Sequence, residues 1–208
     1  PISLKLNKRG SAVNTKSGGI KSFLTTYFPG ELAELEQKEF SMLVDTRSAA
    51  LLAEMHEQQG LTPTEGWEAW RRAGLSELPG ELDAANSEAL HRFHHELAQA
   101  LHRALQKVAK AEPLEFDKGM QRLVGFGLPD LVQVICFHDV NGKAPKEATV
   151  LVHEAPEAVE RIREVQWTES KAVSFFTLRL RDWELHIRIK PMNKFTTTAI
   201  KINCAVKF

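Results

Sequence analysis

Two stretches near the end of the chain alternate so strictly that a half-buried antiparallel sheet is the structure that suits them. In 183–190, Leu185, Ile187 and Ile189 fall on one side, and Glu184, His186, Arg188 and Lys190 on the other. In 199–207, Ile200, Ile202, Cys204 and Val206 oppose Lys201, Asn203 and Lys207. Successive side chains of a strand point to opposite faces, so each stretch buries one side and wets the other. With a third run at 172–181 they predict a C-terminal antiparallel meander. The wet side is basic, as part of a wider sorting of charge. Residues 1–22 carry Lys5, Lys8, Arg9, Lys16 and Lys21 and no acid, and residues 169–208 carry eight Lys and Arg against three acids, so each end is +5. The segment between holds 14 basic and 24 acidic residues, so the 208-residue chain is formally neutral. Basic, strand-like ends around an acidic middle point to one polyanion-binding face, because phosphate backbones are bound largely by Lys and Arg.

Between the ends the hydrophobic period becomes helical. Residues 31–59 place Leu32, Leu35, Phe40, Leu43, Leu51, Leu52 and Met55 at near-helical spacing, and Gly60 stops the run. Residues 81–111 give the longest helical signal, with Leu90, Phe93, Leu97, Leu101, Leu105 and Val108 in one stripe ahead of Pro113. Shorter helices are expected at 20–28, from Pro63 to about Gly74 with Thr62 as N-cap, at 114–124 and at 156–165. Residues 2–6 alternate as a strand, and 8–19, rich in Gly, Ser, Asn and Thr, read as a loop. Strands are expected at 131–138 and 148–153, with Asn141-Gly142 as a turn. The predicted fold is α/β in one domain: a mixed sheet, a helical insertion at about 30–125 and the terminal meander. No apolar run approaches the ~20 residues that span a bilayer. Cys136 and Cys204, far apart and without a CxxC, read as reduced thiols of a cytoplasmic protein. The chain enters a strand pattern directly at Pro1, so an N-terminally truncated chain is expected.

Ser3-Leu4-Lys5 on the opening strand resembles the end of the PD-(D/E)xK motif of restriction-endonuclease-like nucleases, in the S-x-K form of some type II restriction enzymes. The stretch from Ile187 to Asn203 resembles the terminal hairpin of several of the same enzymes, with an h-R-h strand, a polar loop and a K-h-x-h strand. The resemblance implies a Mg²⁺-dependent, sequence-specific endonuclease that hydrolyses phosphodiester bonds of double-stranded DNA, as a homodimer. Lys5 and Ser3 would be catalytic. The principal metal-holding acid would lie upstream of Pro1, and Glu31, or Glu34 beside it, would be a displaced acid from a downstream helix. A strand Lys beside metal-holding acids orients and deprotonates an attacking water and stabilises the charge that builds on phosphorus. DNA contacts are expected from Lys16, Lys21, Arg188, Lys190, Asn193, Lys194, Thr196 and Lys201. Lys and Arg would grip phosphates, while Asn193 and Lys194 are able to read base edges.

Other constellations weigh less. His91, His94, His95 and His102 share the long helix, but no HExxH or Cys partner accompanies them, so a solvated face is expected rather than a zinc site. Cys136 and His138 are two apart on a strand, but the apolar run 131–137 makes Cys136 read as core rather than as a nucleophile with His138 as its base. His138, Asp139 and Asn141 form a secondary polar cluster. Trp67 and Trp70 read as core or as a dimer contact ahead of base stacking. Two alternatives to the nuclease stay open: a non-catalytic nucleic-acid-binding module, and an acidic helical interaction protein.

Overall fold

A computed structural model describes residues 2–8, 12–124, 132–138, 147–152, 166–168, 175–179, 184–191, 193–197 and 199–207. Their elements run β1 (Ile2–Lys8), β2 (Val13–Gly19), α1 (Phe23–Tyr27), α2 (Glu31–Gln58), α3 (Trp67–Arg72), α4 (Ala84–Ala111) and α5 (Pro113–Val124). They continue with β3 (Val132–His138), β4 (Glu147–Val152), β5 (Gln166–Thr168), β6 (Phe175–Arg179), β7 (Glu184–Pro191) and β8 (Ile200–Lys207). The turn expected at Asn141-Gly142, the helix expected at 156–165 and Asp139 lie outside the described residues.

The strands divide between two sheets. One is mixed, in the order β1-β3-β4, with β1 parallel to β3 and β3 antiparallel to β4. The other is antiparallel throughout, in the order β2-β8-β7-β6-β5. The alternation that predicted the meander sets its faces. Leu185, Ile187 and Ile189 of β7 and Ile200, Ile202, Cys204 and Val206 of β8 are all buried. Their neighbours in sequence form the opposite, wetter face.

Helices cover the apolar face. Helix α4 packs on β6 and β7, and α5 on β2 and β8. Asp83 starts α4, where its side chain accepts from the Asn86 N–H at 2.9 Å, satisfying an otherwise orphaned donor. The α4 stripe of Leu90, Phe93, Leu97, Leu101, Leu105 and Val108 is buried as its period predicts. Helix α2 packs on α4 in a third layer. The ion pairs Lys107–Glu36, Arg47–Glu96 and Arg92–Glu54 show the two helices to be antiparallel. Gln37, buried on α2, accepts from the Leu24 N–H at 2.7 Å and donates to the Ile20 carbonyl at 3.2 Å, which locks the α1 corner to α2.

Four expectations need correction. Residues 13–19 are a strand, not part of a loop. They pair antiparallel with β8, with a bulge between Asn14 and Lys16. Their polar composition suits an edge strand on which Val13 is the one buried residue. The long helix begins at Ala84 rather than 81, because Pro79–Glu81 form a 3-10 turn ahead of the Asp83 cap. Thr62 makes no side-chain capping bond, and Pro63–Glu65 form a 3-10 turn ahead of α3. The solvated face expected for the four histidines holds for only half of them: His91 is exposed and His95 half-buried, but His94 and His102 are buried at 5% and 7% exposure, with the His102 ring 5.0 Å from that of Phe176.

Candidate functional site

The outer face of the antiparallel sheet is built row by row from its register. Arg188 lies opposite Asn203, which lies opposite Ser17. Lys190 lies opposite Lys201, which lies opposite Gly19. His186 lies opposite Ala205, which lies opposite Asn14. The bridge between β2 and β8 therefore joins the basic N-terminal segment to the basic C-terminal hairpin, and Lys16, Lys190 and Lys201 come to line one open cleft of about 370 Å³. Asn14, Asn193 and Asn203, with Thr15 and Ser17, complete its lining.

The cleft is polar and positive, and its side chains are partly fixed. The Ser17 hydroxyl donates to the Asn203 Oδ1 at 2.9 Å, which leaves the Asn203 N–H₂ for another acceptor. The Thr15 hydroxyl donates to the Cys204 carbonyl at 3.3 Å, tying the bulge to β8. Among the described residues no carboxylate pairs with Lys16, Arg188, Lys190 or Lys201. Lys190 and Lys201 stand directly across from each other, where opposed Cβ atoms are ~5 Å apart and like charges repel. A fold gains nothing from that arrangement. An anion bound between the two side chains removes the repulsion.

Four of the expected DNA-contacting residues, Lys16, Lys190, Asn193 and Lys201, meet in this cleft. Arg188 is exposed on the same face, one row away. The structure takes three others elsewhere. Lys21 forms an ion pair with Asp45 of α2. Lys194 donates to the Glu77 Oε1 at 2.5 Å. Thr196 is 3% exposed and donates its hydroxyl to the other Glu77 oxygen. These last two hold the β7–β8 loop rather than project from it, and with Arg71 they lower the Glu77 pKa to about 2. Asn14, Thr15, Ser17 and Asn203 were not anticipated. The alternation of Lys201-Ile202-Asn203 carried that signal for Asn203, whereas the three β2 residues were hidden in what read as a loop.

The expected catalytic residues lie on other elements. Ser3 and Lys5 stand two apart on β1, opposite Gln133 and Ile135 of β3, in the sheet that does not carry the cleft. Glu31 is exposed at the first position of α2, where a carboxylate complements the positive end of the helix dipole. Among the described residues no three His, Cys, Asp or Glu side chains gather as a metal-holding group. Cys204 is fully buried, and burial raises its thiol pKa far above the ordinary value, so it is not a nucleophile. Trp70 is 1% exposed and donates its indole N–H to the Ser76 carbonyl at 2.9 Å, which makes it core. Among the described residues no helix is long and apolar enough to cross a membrane. Comparison with protein-family models, with curated proteins and with solved structures finds no significant match to this chain.

Proposed function

We propose that the chain binds double-stranded DNA through the outer face of β2, β8 and β7. The observation that carries this reading is the cleft in which Lys16, Lys190 and Lys201 converge without a carboxylate partner among the described residues. Phosphates are the ligand that offsets such a charge cluster. The side-chain amides of Asn14, Asn193 and Asn203 add donors and acceptors that reach sugars, phosphates or base edges. Among the described residues the cleft lining has no aromatic ring, and stacking on aromatic rings is how single strands are usually held. A duplex backbone therefore fits better than a single strand. The reading includes a cytoplasmic setting, where a thiol such as that of Cys204 stays reduced.

A second reading makes the protein a Mg²⁺-dependent endonuclease of the restriction type, acting as a homodimer on both strands. The observation that favours it is the S-x-K spacing of Ser3 and Lys5 on an observed strand, β1. Among the described residues no group of three His, Cys, Asp or Glu side chains gathers near Lys5 to hold the ion, and the principal acid of this reading lies upstream of Pro1.

One experiment separates the readings. The full chain is incubated with a plasmid and with a labelled duplex, with Mg²⁺ and with EDTA. Cleavage that EDTA abolishes, and that Lys5→Ala abolishes while duplex affinity is kept, supports the nuclease. Salt-sensitive binding with no cleavage in either condition leaves the binding module. No duplex affinity at low salt overturns both and leaves the acidic helices as the interacting surface.

A further inference from the structure

Glu77 lies between α3 and α4, far in sequence from the cleft, and four contacts converge on it. Lys194 donates to its Oε1 at 2.5 Å, Arg71 Nε donates to its Oε2 at 3.1 Å, and the Thr196 hydroxyl donates to the same Oε2. The Phe195 N–H donates to the Glu77 carbonyl at 3.2 Å. The side chain of Glu77 is 13% exposed, and its partner Thr196 is buried, while Lys194 and Arg71 reach it from the solvent side. The Phe195 ring sits edge-on to Trp67 and Trp70 at centroid distances of 5.4 and 5.7 Å. Trp70 is fixed in turn by its bond to the Ser76 carbonyl, next to Glu77. Three successive loop residues, 194–196, are thus held by α3 and the turn that follows it, to Glu77. Asn193, immediately before them, is exposed and lines the cleft beside Lys190.

From this geometry we infer that Glu77 is a positioning residue for DNA recognition, which holds the β7–β8 loop so that Asn193 is presented in the cleft before a duplex arrives. The inference rests on the duplex-binding reading above. A loop ordered in advance does not lose conformational entropy on binding, so its contact contributes in full to affinity. Released from Glu77, the loop loses that advantage and the contribution of Asn193 falls. The grip of Lys16, Lys190 and Lys201 does not pass through Glu77, so the dependence of binding on salt stays.

The test is a double-mutant cycle with the full chain and a fluorescent ~20-base-pair duplex, read by anisotropy across a salt series. Asn193→Ala is measured in the wild-type, Glu77→Gln and Thr196→Val backgrounds. Thr196→Val removes one bond to Glu77 at nearly constant side-chain volume, and decides the outcome if Glu77→Gln fails to give a cooperative melt. The expected result is that Asn193→Ala weakens binding at least ~3-fold in the wild type and less than ~2-fold in the clamp variants, a coupling within the range of contacting networks. The slope of log K against log salt is unchanged in Thr196→Val, which keeps the Lys194–Glu77 pair, and at least as steep as in the wild type in Glu77→Gln, which sets Lys194 free. An equal loss from Asn193→Ala in folded proteins of every background overturns the positioning role and leaves duplex binding standing. No effect of Asn193→Ala in the wild type also overturns it. A wild-type chain that binds no duplex overturns both.

Discussion

Lys201→Gln is predicted to stabilise the fold and weaken DNA binding at once. Lys201 faces Lys190 directly across β7 and β8, and no described carboxylate pairs with either. Opposed like charges on one sheet face cost on the order of 0.2–1 kcal/mol, in line with Coulomb repulsion at ~5–6 Å in a nearly aqueous medium. Glutamine keeps most of the aliphatic stem and removes the charge. Urea melts of the variant should therefore show a gain of about 0.5 kcal/mol, or ~1–2 °C in Tm for a chain of this size. In duplex titrations the slope of log K against log salt should become shallower by ~0.9 if one phosphate contact is lost. The two signs must appear together. A loss of stability with an unchanged slope would mean that Lys201 is a structural residue of a solvated face, and the reasoning from unpaired charge would be wrong.

Two other predictions concern the frame that holds the site. Gly119 of α5 lies against Phe28 so closely that an added Cβ would clash with the ring's Cδ1, and Phe28 is fully buried and stacked on Phe116 at 5.5 Å. Gly119→Ala gains ~1 kcal/mol in helix propensity but forces a packed ring aside at greater cost, so a net loss of about 1–2 kcal/mol is expected in denaturant melts. A neutral or stabilised variant would show that Phe28 has room to move. His94 has its pKa lowered to about 4, chiefly by burial and further by His91 and Arg188. The unfolded chain, with His near 6.5, then binds more protons between pH 6.5 and 4, and stability is lost as pH falls through that window, by about 3 kcal/mol at its end. The difference in stability between wild type and His94→Gln should therefore shrink towards acid pH. A difference constant from pH 7 to 4 would contradict the burial of the imidazole.

The parts legible in the sequence were those with a strong period and one partner surface. β7 and β8 alternate because the same sheet face is packed by α4 on β7 and by α5 on β8. α4 reads clearly for the same reason. β2 does not, because an edge strand with a bulge buries Val13 alone and spends its other positions on Asn, Thr, Lys, Ser and Gly. Its polarity made it look like a loop, and so Asn14, Thr15 and Ser17 were missed. The buried His94 and His102 were hidden because a helical stripe says which side is apolar but not how wide the buried arc is. Lys194 and Thr196 look free to meet DNA in the sequence because their partner, Glu77, is more than a hundred residues away. Charge sorting indicated that the two basic ends would meet. The structure joins them through the pairing of β2 with β8 rather than through the opening strand.

The most direct test of the proposed binding face is an amide-resolved NMR titration of the full chain with a short duplex at low salt. Shifts should concentrate on Lys16, Ser17, Lys190, Asn193, Lys201 and Asn203, and should reverse as salt is raised. Shifts confined to α2 and its acidic surface, with the β2, β7 and β8 amides unmoved at saturation, would contradict it.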